Sequence, residues 1–467
     1  MNALKKILLS LLITGFITSM MSSCANIIPP SGGPRDSLPP RLLFALPGDS
    51  AVNTSPALIT MNFDEYVTLQ NINENLIVSP TIKNMPQVDA RLRVVTVRIK
   101  DSLDPNTTYS LNFGTALRDV NESNILKDFT YVFSTGKTID NYSYSGRVLL
   151  AEKGKTDSTL IVILHKNLHD SAIVKERPRY YARINGKGEF SFNNLSAGSF
   201  RVYVLPNDFT RKYDDSTKLF AFRSLPLIVS DSTTPDTLYA YQEFKETPKV
   251  VKQAVVLDKS GKEDKRLRYI SSLEGSQQDL LSSLKLEFKR PIRLADSSAI
   301  VFADSSYHKL SGYTLSLDTT KTVLSIGYSW KELNHFRLVL PKESITDTAG
   351  ITLPKTDTIK FSTKRESDYG SIKLRFSRLN LTRNPVLQFI QSDNLVESVP
   401  LTSYEFSQKL FRQGTYEMRI LYDTNRNGIW DPGSFNKIKK QPEIVQLIAK
   451  PLNVKANWDN EVTIELQ

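Results

Sequence analysis

Along much of this chain apolar and polar residues alternate one by one, and that alternation restricts the fold more than any other feature. Ala57, Ile59, Met61 and Phe63 fall on one face of an extended segment, and Leu58, Thr60 and Asn62 on the other. Tyr109, Leu111 and Phe113 alternate with Ser110 and Asn112, and Phe129, Tyr131 and Phe133 repeat the pattern. Successive side chains of a pleated strand point to opposite faces, so period two marks a strand with one wet and one dry face. Turn residues such as Asp104-Pro105-Asn106 separate the runs, as in antiparallel sheets. Two such sheets packed face to face make a sandwich. The 19 Tyr and 22 Phe suit this pleated, half-buried surface better than a helix.

The alternating runs recur in order. Leu284-Lys285-Leu286-Glu287-Phe288 matches the run ending at Phe63, and Phe336, Leu338 and Leu340 match Tyr109 to Phe113. Ile359 to Thr363 matches Tyr131 to Thr135, and Thr346-Asp347 stands where the first copy has Arg118-Asp119. A second pair lies between and after these. Gly188-Glu189-Phe190-Ser191-Phe192, Leu195, Gly198 and Phe200 to Val204 match Tyr404-Glu405-Phe406 and Gly414 to Ile420. The chain therefore reads as an all-β string of tandem β-sandwich domains in the order A-B-A′-B′. The expected bounds are 41–137 for A, 141–230 for B, 250–364 for A′ and 368–467 for B′.

The start of the chain follows another rule. Lys5 and Lys6 precede an apolar run from Ile7 to Ile17, shorter than the about 20 residues that span a bilayer and suited to a secretory signal. Met21-Ser22-Ser23-Cys24 closes it on the only cysteine, so no disulfide forms within the chain. These residues resemble the lipobox of bacterial lipoproteins. The resemblance implies a signal peptide over 1–23, cleavage before Cys24, and acylation of Cys24 with palmitate-type chains. Several acyl chains make such an anchor effectively permanent. Ala25 is not the aspartate that holds lipoproteins in the inner membrane, which favours the outer membrane and leaves the leaflet open. Pro29-Pro30-Ser31-Gly32-Gly33-Pro34 and Pro39-Pro40 make 24–40 a Pro/Gly tether. Loss of Lys5 and Lys6 lowers the formal charge from +11 to +9. That bias suits lipid headgroups, wall polymers or acidic proteins, and an exported chain is not expected to meet nucleic acid.

Ser55 to Gly136 resembles the bacterial Ig-like domain of the S-layer-protein type. Phe63-Asp64-Glu65, Asn106-Thr107-Thr108-Tyr109, Asp119-Val120-Asn121-Glu122 and Phe133-Ser134-Thr135-Gly136 carry that likeness. Through Gly188 to Gly198 the B domains resemble prealbumin-like or carboxypeptidase-regulatory-like sandwiches. The layout is similar to Bacteroidota outer-membrane lipoproteins. A′ departs from A, with Lys289-Arg290 in place of Asp64-Glu65 and Lys364 in place of Gly136.

Candidates for chemistry are few. Asp423-Thr424-Asn425-Arg426-Asn427-Gly428-Ile429-Trp430-Asp431 follows the first half of an EF-hand-like loop. Asp423, Asn425, Asn427 and Asp431 supply side-chain oxygens at positions 1, 3, 5 and 9, Ile429 a carbonyl at position 7, and Gly428 the sharp turn at position 6. Arg426 lies inside the loop and position 12 lacks a Glu, so the residues fit either weak Ca2+ binding or a self-bonded Asn/Asp/Gly turn. The corresponding place in B, Asn207-Asp208 with Asp214-Asp215, is interrupted by Arg211 and Lys212. His165 and His169 stand four apart, but His165 ends the strand-like run Leu160 to Leu164, so they need not share a face. His308 and His335 are isolated.

No Gly-x-Ser-x-Gly elbow, Walker loop, dinucleotide fingerprint, His-Glu-x-x-His or Cys-x-x-Cys occurs, so an enzyme is not expected. Asp-Ser/Thr followed by a small or apolar residue recurs at Asp101-Ser102-Leu103, Asp170-Ser171-Ala172, Asp236-Thr237-Leu238 and Asp357-Thr358-Ile359. It is similar to a Bacteroidota O-glycosylation sequon and equally to ordinary turn chemistry. The expected function is a lipid-anchored scaffold contacting other outer-membrane or exported proteins, as an accessory subunit of an assembly, secretion or uptake complex. The alternative is a glycan-binding or calcium-stabilised module using the Asp423 loop with Trp430 and Trp458. No cofactor other than Ca2+ is expected.

Overall fold

The computed structural model describes residues 35–244, 266–294, 296–436 and 438–466, with Lys5, Ile7 and Ser10. Cys24, most of the tether and the first part of the expected A′ segment lie outside the described residues. No described helix is long and apolar enough to cross a membrane. The chain divides into two compact units, Met1–Asp140 and Asn141–Gln467.

The first unit holds sandwich A. One sheet runs Leu42–Leu46, Leu58–Phe63, Val94–Arg98, Gln87–Arg91. The other places Thr108–Asn112 between Ile77–Ser79 and Thr130–Ser134. The alternation puts Ile59, Met61 and Phe63 inward against Tyr109, Leu111, Phe113, Tyr131 and Phe133. A short pair, Val67–Leu69 with Leu117–Asp119, closes one end.

The second unit opens with B. Its smaller sheet centres on Tyr142–Leu150, flanked by Glu189–Leu195 antiparallel and Asp236–Ala240 parallel. Its larger sheet runs Tyr180–Arg183, Leu160–His165, Gly198–Pro206, Ala221–Phe222. B′ repeats the plan, with one long strand, Ile444–Val454, where B has Ala221–Phe222 and Leu227–Val229. Tyr369–Ser377 has Glu405–Arg412 antiparallel and Asp459–Glu465 parallel, opposite a sheet of Asn394–Pro400, Pro385–Gln391, Gly414–Tyr422 and Ile444–Val454. In both copies a glycine starts the long central strand, Gly198 at φ 142° and Gly414 at φ 148°. That backbone strains an L side chain.

A′ reproduces A in the same way. Tyr269–Ser271, Leu284–Phe288, Val323–Gly327 and Thr314–Leu317 form one sheet, and Ile292–Leu294 pairs Ile345–Asp347 as Val67–Leu69 pairs Leu117–Asp119. The parallel bridge of Ala51 to Phe133 recurs as Gln277 beside Ser362. The architecture is thus all-β, with tandem sandwiches whose topology alternates.

Tandem order does not leave B and B′ as separate beads. Leu160–His165 is buried at every position, and Pro385–Gln391 at all but its last. In B, Leu160, Val162 and Leu164 face the core of the domain, so burial of Ile161, Ile163 and His165 requires a second covering layer. B′ touches B at several points. Val445 donates its N–H to the Ala151 carbonyl (2.9 Å), Lys155 pairs with Glu417 (3.0 Å), and a Cβ at Gly154 would meet the Val445 carbonyl at 2.9 Å.

Candidate functional site

The segment 423–443 leaves the end of Gly414–Tyr422 and returns at Ile444–Val454. Its base is a knot of carboxylates and amides. Asp423, 2% exposed, accepts N–H bonds from Arg426 (2.6 Å), Asn427 (3.3 Å) and Gly428 (2.6 Å). Arg426 and Gly428 take positive φ, 62° and 77°, to bring those amides round. Asn425 and Asn427 each accept from the amide two residues on and donate their side-chain NH2 to Asp431. A residue absent from the sequence reading completes the knot. Glu443, 3% exposed, accepts from Thr424 N–H (2.6 Å) and Asp431 N–H (3.1 Å), tying both ends of the loop together. Trp430 turns inward and donates Nε1–H to the Glu443 carbonyl (2.8 Å).

The far side of the loop docks on B. Phe435, 7% exposed, enters a box of Phe220, Phe222, Tyr203 and Tyr213, with ring centroids at 5.1, 5.2, 5.8 and 6.2 Å. These are tilted or edge-to-face contacts, the favoured aromatic geometry. The Phe435 N–H donates to Glu243 (2.6 Å), and Gln441 donates to the Phe222 carbonyl (2.9 Å) and Ser224 (3.0 Å). Lys439 pairs with Asp170 (2.6 Å). Gly433 lies so close to the Tyr241 ring that a Cβ there would meet Cζ at 2.6 Å and the Lys440 carbonyl at 2.8 Å. Sequence reasoning missed Phe435 and Gly433. Their only signal is an apolar ring and a glycine inside an otherwise polar, basic loop.

The matching loop of B is built on the same turn. Asp208 accepts from the N–H of Arg211, at φ 48°, as Asp423 does from Arg426. The carboxylates of B are neutralised from within. Lys218 Nζ lies 2.6 Å from both Asp208 and Asp214. Burial alone raises the Asp208 carboxyl, and Lys218, Thr210 and the Arg211 amide more than reverse it, holding it below its ordinary value. Arg211 and Lys212, read from sequence as interruptions, are structural. Arg211 lies over the Tyr181 ring at 3.7 Å, and Lys212 donates to the Lys175 carbonyl (3.0 Å).

The remaining candidates separate. His165 is 1% exposed, and burial depresses its imidazole to about 4. Its Nε2 has no hydrogen-bond partner among the described residues, and its ring meets Tyr203 edge-on at 5.9 Å. His169 is exposed and bonds Ser171 (2.9 Å). His308 pairs with Asp304 (3.0 Å).

Asp64 and Glu65 lie in a bend after their strand, so strand alternation does not separate them. Burial, then Asp119, Asp64, Asp36 and Glu122, raise the Glu65 carboxyl. In A′ the replacement Arg290 ion-pairs with Asp347 (2.9 Å), the counterpart of Asp119. Trp458 is 63% exposed with Lys455 over its ring. All four Asp-Ser/Thr aspartates have structural partners: Asn84 for Asp101, Arg201 and Lys439 for Asp170, Arg223 for Asp236, and Tyr269 for Asp357.

The fit of a cation to the Asp423 loop can be tested on its donors. Glu443 supplies the acidic side chain that position 12 lacks. The Asn425 and Asn427 amide groups, however, point their NH2 ends at Asp431. No three of His, Cys, Asp or Glu converge as a metal site among the described residues. Calcium would require those two amides to turn.

Residues 36–135 match the bacterial Ig-like domain family. No curated protein matches the chain. Among solved structures, the Bacillus anthracis TIE protein is similar at 9% identity over 94% of this chain and 76% of its own, with a TM-score of 0.17. The major pilin subunit BcpA of Bacillus cereus is similar at 10% identity over 70% and 99%, TM-score 0.17. The N-terminal part of the bacterial S-layer protein SbsC is similar at 14% identity over 44% of each chain, TM-score 0.16.

Proposed function

We propose that this chain is an exported scaffold, tied by lipid on Cys24 to the outer membrane, whose sandwich domains hold loops for binding other proteins of an assembly, secretion or uptake complex. The observation that carries the reading is the docking of 423–443. A loop at the end of one sandwich is held rigid at its base by Asp423 and Glu443 while its tip inserts Phe435 into a neighbouring domain. Loops at sandwich ends are the usual binding elements of such folds. The short apolar leader, the lone Cys24 and the proline tether support the anchor.

Labelling cells with a palmitate analogue tests the anchor: wild type should label and Cys24→Ala should not. A pull-down through a C-terminal tag tests the scaffold, and recovery of no membrane complex would remove it. Protease shaving of intact cells assigns the leaflet.

A second reading is favoured by the contrast between the two loops. In B an ammonium, Lys218, sits between two carboxylates. In B′ the carboxylates of Asp423, Asp431 and Glu443 lie along one loop, and among the described residues no lysine is bonded to them. Calcium would then take in B′ the part that Lys218 takes in B, stabilising the docking loop. Adding calcium should raise the melting temperature of wild type and leave Asp423→Ala unmoved. No shift in either protein would eliminate the ion.

A further inference from the structure

Phe209, in the B loop homologous to the docking loop of B′, is 99% exposed. The backbone that carries it is well held. Asp208 accepts from Thr210 Oγ1 and Arg211 N–H (2.8 Å each), and Lys218 ties Asp208 to Asp214. Arg211 is stacked on Tyr181. The loop is also continuous with an existing interface, since Tyr213, four residues on, forms one wall of the Phe435 box. A phenylalanine side chain gains free energy when it leaves water for an apolar pocket. An aromatic ring held outward on a fixed turn is already organised to collect that energy from a partner.

We propose that Phe209 is the anchor by which this chain docks a separate protein, entering an apolar or aromatic-lined pocket of that partner as Phe435 enters B. The proposal rests on the scaffold reading and gives it a residue. The loop around Phe209 sets Asp208, Asp214 and Asp215 against Arg211, Lys212 and Lys218, so it has no basic excess to draw it to an anionic lipid surface. A second copy is disfavoured because the box that takes such a ring is already filled by its own Phe435.

The test places a photo-crosslinking phenylalanine at position 209 of the full chain in intact cells, with the same group at the exposed Leu92 as control. The expected result is one adduct, specific to position 209, to a polypeptide identified by mass spectrometry. The purified polypeptide should then bind Phe209→Ala roughly thirtyfold or more weakly than wild type, as for an anchor residue. Phe209→Trp should retain most of the binding and Leu92→Ala all of it. The melting temperature of Phe209→Ala should equal that of wild type. Adducts to lipid only, to a second copy only or to nothing would overturn the proposal, as would unchanged affinity. A tagged pull-down separates the two failures. A membrane complex recovered equally by wild type and Phe209→Ala sinks the anchor and spares the scaffold, whereas no complex from either sinks the scaffold.

Discussion

Replacing Phe435 by Ala separates what holds B to B′ from what holds each domain together. The ring belongs to neither domain's own core, whose clusters run from Tyr144 to Ala240 and from Ile372 to Leu466. It contacts Phe220, Phe222, Tyr203 and Tyr213 across the interface. Truncating a buried Phe to Ala costs about 3–5 kcal/mol, from lost transfer energy and the cavity left behind. The backbone bond from Phe435 N–H to Glu243 survives the substitution, so the loss is confined to packing. Both sandwiches should therefore stay folded while their coupling weakens by about that amount.

Hydrogen exchange read by mass spectrometry across a urea series gives the measurement. In wild type, peptides covering Leu160–His165 and Pro385–Gln391 should lose protection at one common midpoint. In Phe435→Ala they should part, because the aromatic packing that couples the two domains is gone. A single transition at the wild-type midpoint would show that 423–443 does not couple the domains, and the reasoning would fail.

Two further outcomes follow from buried polar groups. Asp119, 1% exposed, accepts from the N–H groups of Glu122, Ser123 and Asn124, so Asp119→Ala strands three amides and should lower the stability of A by about 3 kcal/mol or more in urea unfolding. Burial holds His165 near 4 against an ordinary 6.5, so the unfolded chain takes up the proton first. The stabilisation is whole above pH 6.5 and is lost as pH falls toward 4, about 3 kcal/mol in all. His165→Phe should flatten that slope in urea midpoints taken from pH 7 to pH 4, and an unaltered slope would assign it elsewhere.

The strands were legible where a residue's fate depends on its immediate neighbours. Ile59, Met61 and Phe63 face inward because a strand with one wet face must alternate. The unbroken apolar run at Leu160 to Leu164 also carried its message, burial on both faces, but not the identity of the second cover. Tyr203, the cross-strand partner of Ile163, meets both Phe220 of B and Phe435 of B′, so that cover is assembled from segments remote in sequence. Glu443 escaped for a similar reason. The calcium-loop spacing looks for an acid at position 12, whereas here the loop is closed by a carboxylate from its returning limb. Lys218 was invisible as a partner because its role is fixed by two aspartates on a turn whose shape is set by Arg211 at positive φ.

The duplicated domains indicate where function resides. Between A and A′, and between B and B′, strand order and pairing recur while the loop ends diverge. Around the equivalent Asp119 and Asp347, one copy gathers carboxylates that raise Glu65, and the other supplies Arg290 as a counter-ion. At the equivalent loops of B and B′, one copy neutralises itself with Lys218 and presents Phe209 to water, while the other extends and buries Phe435 in its neighbour. A core must keep its shape for the domain to fold, so its residues are constrained by packing. A loop end is free of that constraint and can change charge, length and contacts without unfolding the sandwich. Two copies of one fold that differ mainly at their loop ends have therefore been differentiated by what those ends touch. Substitutions at the exposed Phe209 should separate binding from stability, whereas those in the shared cores or at the buried Phe435 alter stability.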